Sequence, residues 1–272
     1  MPELPEVDTA RRTLEPLVVG RRIERLEVLR AACLRTHAPA EASRILAGRR
    51  IQAIGRRGKA LVFSLDGGWV LTFHFALWGV VRVRDALAGA APSGDAATSA
   101  LLHLEGGRAV EFRELQLSGL HLYREAELKR TPFFAEMGPD ALAPGLTLRQ
   151  FRERLRGRGT IRSLLTDQSR LAGIGNMWSQ EILFAAGLRP SRAAQTLDAA
   201  AWSRLYRATR TVLRRAVRAG GEPEFPDATG RLGRFALAVY KRAGQPCRVC
   251  GTTIAQGRVG GRPAFYCPTC QR

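Results

Sequence analysis

A chain of 272 residues with 45% hydrophobic content is long enough for two modest domains and apolar enough to fold on its own. Its 43 Lys and Arg against 24 Asp and Glu leave a net charge of +19, spread along the chain, which points to a polyanionic partner because each phosphate neutralised by a cation releases condensed counterions. No apolar run approaches the length of a membrane span, and the start MPELPEV lacks the basic patch and apolar stretch of a secretory leader, so a bilayer role and secretion are both disfavoured.

In chain order, residues 5–17 (PEVDTARRTLEPL) open with Pro and acids and space Val7, Ala10, Leu14 and Leu17 on one face, which predicts a helix. From residue 22 to about 124 the pattern becomes short β-like runs, among them RIERLEVLR, ALVFSL, WVLTFHF, VVRVR and GLHLYR, punctuated by turns such as Asp66-Gly67-Gly68 and Gly106-Gly107. That pattern predicts a β-sandwich or barrel. The stretch 88–100 (LAGAAPSGDAATS) is small and polar enough for a surface loop.

Beyond residue 130 the period turns helical, with candidates at 147–157, 160–168, 176–186 and 198–219, the last lined with arginines. The prolines and glycines of KRTPFFAEMGPDALAPG mark the change, and a loop at 219–234 then leads into a C-terminal unit. The division is therefore 1–130, 131–235 and 236–272, an α+β chain with a helical middle.

Four of the five cysteines fall near the end, as Cys247, Cys250, Cys267 and Cys270, while Cys33 stands apart. Two C-x2-C knuckles separated by 16 residues read as one tetrahedral zinc site rather than a disulfide framework, which implies a reducing, cytoplasmic setting. Four thiolates close the coordination sphere, so the zinc is structural. Around Gly260-Gly261 the intervening residues predict a β-hairpin that presents Arg258 and Arg262, the latter suited to grip a phosphate.

LAGIGN, residues 171–176, places glycines before Asn176 at a helix start, with Asn176 as the N-cap. Such a start is an anion site in waiting or plain capping, and the motif alone favours capping. Lys59, behind Arg56 and Arg57, reads locally as a solvated charge, and His74 in VLTFHFALWG as a structural group.

MPELPEV, RRGK at 56–59, LAGIGN and the ending VYKRAGQPCRVCGTTI…GGRPAFYCPTCQR together resemble the formamidopyrimidine-DNA glycosylase/endonuclease VIII family, in the right order across the whole chain. The resemblance implies an N-terminal helix on a two-layer β-sandwich, a helix-two-turns-helix domain and a zinc ribbon, with DNA in a basic cleft between the halves. It implies a bifunctional enzyme of base excision repair, monomeric and nucleoid-associated, that excises a damaged base from double-stranded DNA and nicks the strand. Abasic or single-stranded DNA are further substrates to consider.

Within that resemblance Pro2, once Met1 is trimmed, supplies a secondary amine that titrates at roughly 7.7–8.0 and is partly nucleophilic at cellular pH. Glu3 beside it protonates the opening sugar and shuttles protons. Lys59 falls on the family's general acid and phosphate ligand, Arg262 on the arginine that assists δ-elimination, Asn176 and His74 on phosphate-contacting residues, Tyr240 on the Tyr before the ribbon, and Glu6 on an N-terminal acid. The competing readings are a non-catalytic zinc-dependent DNA-binding protein on the same fold and a zinc-ribbon protein of the ribosome or transcription machinery. Neither explains why Pro2 and Glu3 are both present.

The lesion-reading parts depart from the family pattern. Leu77 stands where purine-excising members carry Met, and RELQLSG at 113–119 replaces an Asp-Pro-Arg-Arg-Phe-Gly loop whose Arg and Phe fill the gap left by the flipped base. Leu77, Gln116 or Leu117 is the candidate void filler, with Trp78 as an alternative wedge. The family's His-rich stretch is replaced by AATSALL, and the loop after Gly220-Gly221 is short and divergent. The expectation is a lesion preference other than 8-oxoguanine opposite cytosine, such as oxidised pyrimidines or ring-opened purines.

Overall fold

The computed structural model describes residues 2–85, 93–114 and 119–272, apart from the side chain of Pro132. They form two compact units, one comprising residues up to Ala135 with Pro223–Gly233, the other Glu136–Glu222 with Arg234–Arg272.

The first unit begins with α1 (Leu4–Val18), whose start is fixed by Pro5 in the first turn and by the Glu3 N–H donating to the Glu6 carboxylate at 3.0 Å. Its apolar stripe of Leu4, Val7, Ala10, Leu14 and Val18 is fully buried. Eight antiparallel strands follow: β1 (Ile23–Val28), β2 (Ile51–Arg57), β3 (Ala60–Leu65), β4 (Trp69–His74), β5 (Val80–Asp85), β6 (Thr98–Leu104), β7 (Arg108–Arg113) and β8 (Leu120–Arg124). They make two separate four-stranded sheets, in the orders β1-β6-β7-β5 and β2-β3-β4-β8, which settles sandwich over barrel.

Alternation along the second sheet sends Leu61, Phe63, Leu71, Phe73, Leu120 and Leu122 inward. There Phe63 and Phe73 meet Phe112 of β7 with ring centroids 6.2 and 5.1 Å apart, so the two layers interlock through one aromatic contact set. On that face Phe112→Ala belongs to the class of core deletions that cost about 3–5 kcal/mol.

Three expectations change in this unit. The stretch 22–124, which reads as strands alone, contains a helix, α2 (Pro39–Leu46), which starts on Pro39 and buries only Ala42 and Leu46, too sparse an apolar signal to stand out among strands. The loop expected over 88–100 ends sooner, because Thr98–Ala100 already belong to β6, whose every residue is buried; residues 86–92 lie outside the described residues. The Gly-rich stretch after residue 221 does not run straight to the ribbon. It inserts Phe225 and Ala228 into the sandwich core, with the Val83 N–H donating to the Ala228 carbonyl at 2.9 Å and the Ala228 N–H to Thr13 Oγ1 at 3.2 Å. Two short helices, α3 (Glu125–Leu128) and α4 (Pro132–Ala135), close this part of the chain.

The second unit holds α5 (Leu148–Arg154), α6 (Ile161–Thr166), α7 (Asn176–Ala186) and α8 (Ala199–Arg218). Side chains of Thr147, Thr160 and Asp198 cap α5, α6 and α8 by accepting from Gln150, Ser163 and Ala201 N–H groups. The central helix is α7, which packs on α6 and α8 and buries Met177, Trp178, Ile182 and Leu183. Gly187 ends it in the left-handed region, φ 68°. At the C-terminus β9 (Ala255–Val259) and β10 (Arg262–Tyr266) form the predicted hairpin, turning on Gly260 and Gly261 at φ 59° and 75°, the pair of positive φ values a tight two-residue turn requires.

Candidate active site and nucleic-acid interface

Pro2 and Glu3 are both buried at the N-terminal end of α1, with Glu3 only 1% exposed. Partial positive charge from unpaired N–H groups collects at that end and favours a carboxylate there. Glu6, also 1% exposed, spends its carboxylate on the Glu3 backbone and thereby sets where Pro2 and Glu3 sit.

Lys59 lies in the turn joining β2 to β3, directly after Gly58 at φ 57°. Pairing of Ala60 with His74 brings that turn beside the end of β4. Burial, reinforced by the Lys59 charge, pushes His74 down to a pKa of about 4, so its imidazole is neutral at cellular pH. Its Nδ1 accepts the Ala76 N–H at 3.1 Å, which leaves the proton on Nε2 as an uncharged donor.

The sign of the resulting pH effect follows directly. Above pH 6.5 the imidazole is neutral in both folded and unfolded chains, whereas between 6.5 and about 4 the unfolded chain takes up a proton that the folded one refuses, so stability is lost as pH is lowered from 6.5 through about 4. His74→Gln should flatten that part of the stability profile, measured by denaturant unfolding at stepped pH. An unchanged slope would remove His74 as its source.

After His74 the chain turns sharply through Ala76 at φ 47°, and the Gly79 N–H closes the turn on the Phe75 carbonyl at 2.8 Å. A Cβ at Gly79 would lie 2.6 Å from that oxygen, so glycine is required there. The turn presents two large apolar side chains, Leu77 at 45% and Trp78 at 67% exposure. Gln116 and Leu117 lie outside the described residues. The strand leading toward them is anchored by buried Glu111, which accepts from Arg84 at 2.7 Å and Arg113 at 2.6 Å.

In the second unit Asn176 and Arg262 come together. Both line a cavity of about 230 Å³ with Arg162, Ser163 and Thr166. The expected N-cap role of Asn176 is corrected: Gly175 is the N-cap, Asn176 is the first helical residue, and its Oδ1 accepts from the Arg162 guanidinium. Gly175 is extended, φ −128° and ψ −153°, and the Asn176 side chain, inside the first turn, is engaged by Arg162 instead of capping the helix.

Arg162 carries no distinguishing signal in the sequence, yet it ties the helices to the hairpin. Its guanidinium donates to the carbonyls of Val259 at 2.9 Å, Arg262 at 3.3 Å and Pro263 at 2.8 Å. Gln180, one turn along α7, adds a second tie by accepting the Phe265 N–H at 2.6 Å. Glu181 does the same for Tyr240: its carboxylate accepts the N–H groups of Ala238, Val239 and Tyr240 at 2.8, 3.0 and 2.9 Å, and burial pushes its pKa up. A run of polar residues inside an otherwise apolar helix, SQE at 179–181, was the available signal. Tyr240 itself packs edge-on against Phe265, centroids 5.7 Å apart.

The four cysteines converge, with Sγ atoms all within 4.8 Å of one another and pairs at 4.0 Å (Cys247 and Cys270) and 3.5 Å (Cys250 and Cys267). A tetrahedral zinc with bonds of about 2.3 Å sets its ligands about 3.8 Å apart, so the donor set fits the ion. Cys247, Cys250, Cys267 and Cys270 form one structural zinc site that holds the base of the hairpin. Cys33 is buried far from water, its thiol pushed up to about 11 by that burial, and serves as core.

Comparison with known proteins bears on all of these segments. Residues 1–119 match the family model of the formamidopyrimidine-DNA glycosylase N-terminal domain, 137–224 that of the formamidopyrimidine-DNA glycosylase H2TH domain, and 244–272 that of the zinc finger found in FPG and IleRS. A formamidopyrimidine-DNA glycosylase of Burkholderia cenocepacia is 39% identical, with 100% of each chain covered. Among solved structures, Lactococcus lactis Fpg (MutM) in complex with DNA containing N7-benzyl-Fapy-dG superposes with a TM-score of 0.90 at 28% identity over 100% of both chains. A complex of the Lactococcus lactis Fpg with DNA containing an abasic site gives the same TM-score at 27% identity over 99% of each chain. No described helix is long and apolar enough to cross a membrane. From one terminus to the other, sequence and fold agree that the chain belongs to the formamidopyrimidine-DNA glycosylase family.

Proposed function

We propose that the chain is a DNA glycosylase of base excision repair that also cleaves the strand at the resulting abasic site. The observation that carries the reading is the pairing of Pro2 with the buried carboxylate of Glu3 at the positive end of α1. With Met1 removed, the Pro2 nitrogen attacks the sugar C1′, the base leaves with its bonding electrons and takes up a proton, and the ring opens to an iminium as Glu3 protonates the ring oxygen. The iminium withdraws electrons from C2′. Loss of a C2′ proton then expels the 3′-phosphate, and a second elimination expels the 5′-phosphate.

The remaining residues serve the phosphates. Lys59 and the neutral His74 contact the strand from the first unit, and Asn176, Tyr240 and Arg262 from the second, with Arg262 assisting the second elimination. The relatives' complexes with ring-opened-base and abasic-site DNA support a damaged duplex as substrate. Zinc takes no part in the chemistry, since four sulfurs fill its coordination sphere.

For the lesion, the altered loops support a preference other than 8-oxoguanine opposite cytosine. The segment after Gly221 is stapled into the sandwich by Phe225 and Ala228, which removes it as a freely closing cover, and among the candidates within the described residues the turn exposes Leu77 and Trp78. Trp78 is the wedge. A panel of lesion duplexes tests this: 8-oxoguanine opposite cytosine should be among the slower substrates, and Trp78→Ala should slow duplex excision by about 10-fold, the scale of one base-stacking interaction removed. Fastest excision of 8-oxoguanine paired with cytosine would overturn the lesion assignment.

A further inference from the structure

The outer face of the second sheet carries a cavity beside His74 whose other walls have no role above. The alternation that sends Leu71, Phe73, Leu120 and Leu122 into the core turns Thr72, His74, His121 and Tyr123 outward. The α4 segment covers them with Phe133 and Phe134, leaving a space of about 300 Å³. Its roof is held in place: the Arg57 guanidinium donates to the Phe134 carbonyl at 3.1 Å and lies over the Phe134 ring, 5.5 Å from its centroid. The walls are aromatic, with the His121 and Tyr123 rings stacked 5.9 Å apart and His74 edge-on to Phe133 at 4.9 Å.

Three properties of this cavity narrow its ligand. No acidic side chain lines it. Both imidazoles have lowered pKa values, chiefly through burial, so at neutral pH they are uncharged; Nδ1 of His74 is taken by the Ala76 N–H, which leaves its Nε2–H as a neutral donor, and His121 bonds the Gly119 backbone. Cations flank it on two sides, since Lys59 acts on His74 and Arg35 on His121. Flat aromatic walls, neutral hydrogen-bonding edges and cations at the margins suit a ligand that is planar and heteroaromatic at one end and anionic at the other.

We propose that this cavity is a nucleotide subsite, receiving one unstacked base of a single-stranded segment beside the lesion while a neighbouring cation takes its phosphate. The subsite rests on the reading of DNA as substrate. A base held there has left its duplex partner, so the subsite favours DNA that is already unpaired next to the damage. This deepens the lesion reading, because a chain lacking the Arg and Phe that would fill the opened duplex gains most from strands that need no opening.

The test uses the full zinc-loaded enzyme and oligonucleotides carrying an uncleavable tetrahydrofuran abasic analogue, with 2-aminopurine moved stepwise through the flanking positions. At one position in the single strand the wild type should quench the fluorophore by stacking. Phe133→Ala, at a side chain 44% exposed, and His121→Leu, independently, should abolish that quench and weaken single-strand binding by about 10-fold, within the range of one base–aromatic stack removed. Borohydride-trapped adduct with duplex abasic DNA should stay at the wild-type level in both variants. No position-specific quench in the wild type, or single-strand binding unchanged in both variants, would overturn the subsite. Absence of trapped adduct in the wild type would instead count against the lyase reading alone, so the two can fail separately.

Discussion

Protein that retains Met1 should form no borohydride-trapped adduct with abasic-site DNA, a loss of at least about a thousandfold relative to processed enzyme, as expected when the nucleophile proposed above is removed. With Met1 in place the Pro2 nitrogen is an amide whose lone pair is delocalised into the carbonyl. Once Met1 is gone it is a secondary amine, and its adduct with the sugar is an iminium that carries permanent charge because nitrogen has no proton left to lose. Pro2→Gly substitutes a primary amine, whose adduct discharges to a neutral imine near neutral pH and pulls electrons from C2′ less strongly. It should trap far less adduct than wild type, and mass spectrometry of the intact protein establishes which N-terminus each preparation carries. Adduct at the wild-type level from Met1-retaining protein would place the nucleophile elsewhere.

Chelating the zinc should remove both the ribbon and the DNA grip of the second unit. Four thiolates without their ion repel or pair wrongly, and structural zinc contributes on the order of 10–16 kcal/mol in isolated finger peptides, far more than the small cluster of Val239, Ile254 and the cysteines supplies by apolar burial. As the hairpin unravels, Arg162 loses its carbonyl acceptors at Val259, Arg262 and Pro263, so a guanidinium only 3% exposed is left without them. Cys250→Ser or chelator should therefore lower duplex affinity by roughly 100-fold, the scale of the phosphate grip proposed for Arg262 and Asn176 together, and flatten the salt dependence. Binding isotherms at stepped salt, beside metal analysis expected to give one zinc per untreated chain, provide the check. Undiminished affinity in fully demetallated protein would separate the ribbon from DNA binding.

Much of this was legible because the informative residues are either periodic or rigidly spaced. The apolar stripe of α1, the alternation through β3, β4 and β8, the whole of α7 and the two cysteine knuckles each follow from a repeat that the backbone imposes. What escaped notice depends on partners distant in sequence. Arg162 looks like one more arginine among 43 Lys and Arg until the hairpin almost 100 positions later supplies its acceptors. Asn176 reads as a cap by residue type, and only the geometry at Gly175 shows the cap passing one residue back. The cavity beneath Phe133 and Phe134 was hidden for the same reason, since its walls come from three strands and a connecting segment that looked merely like punctuation.

The insertion of Phe225 and Ala228 into the sandwich has a consequence for biosynthesis. The other buried members of that core end at Leu122, so on the ribosome the sandwich waits for about 100 further residues before its last side chains emerge. At typical elongation speeds of about 5–20 residues per second this leaves an apolar flank around Phe75 open for roughly 5–20 s. The helices of the second unit are made during that interval, so the N-terminal unit, first to be begun, is sealed only after those helices have been synthesised.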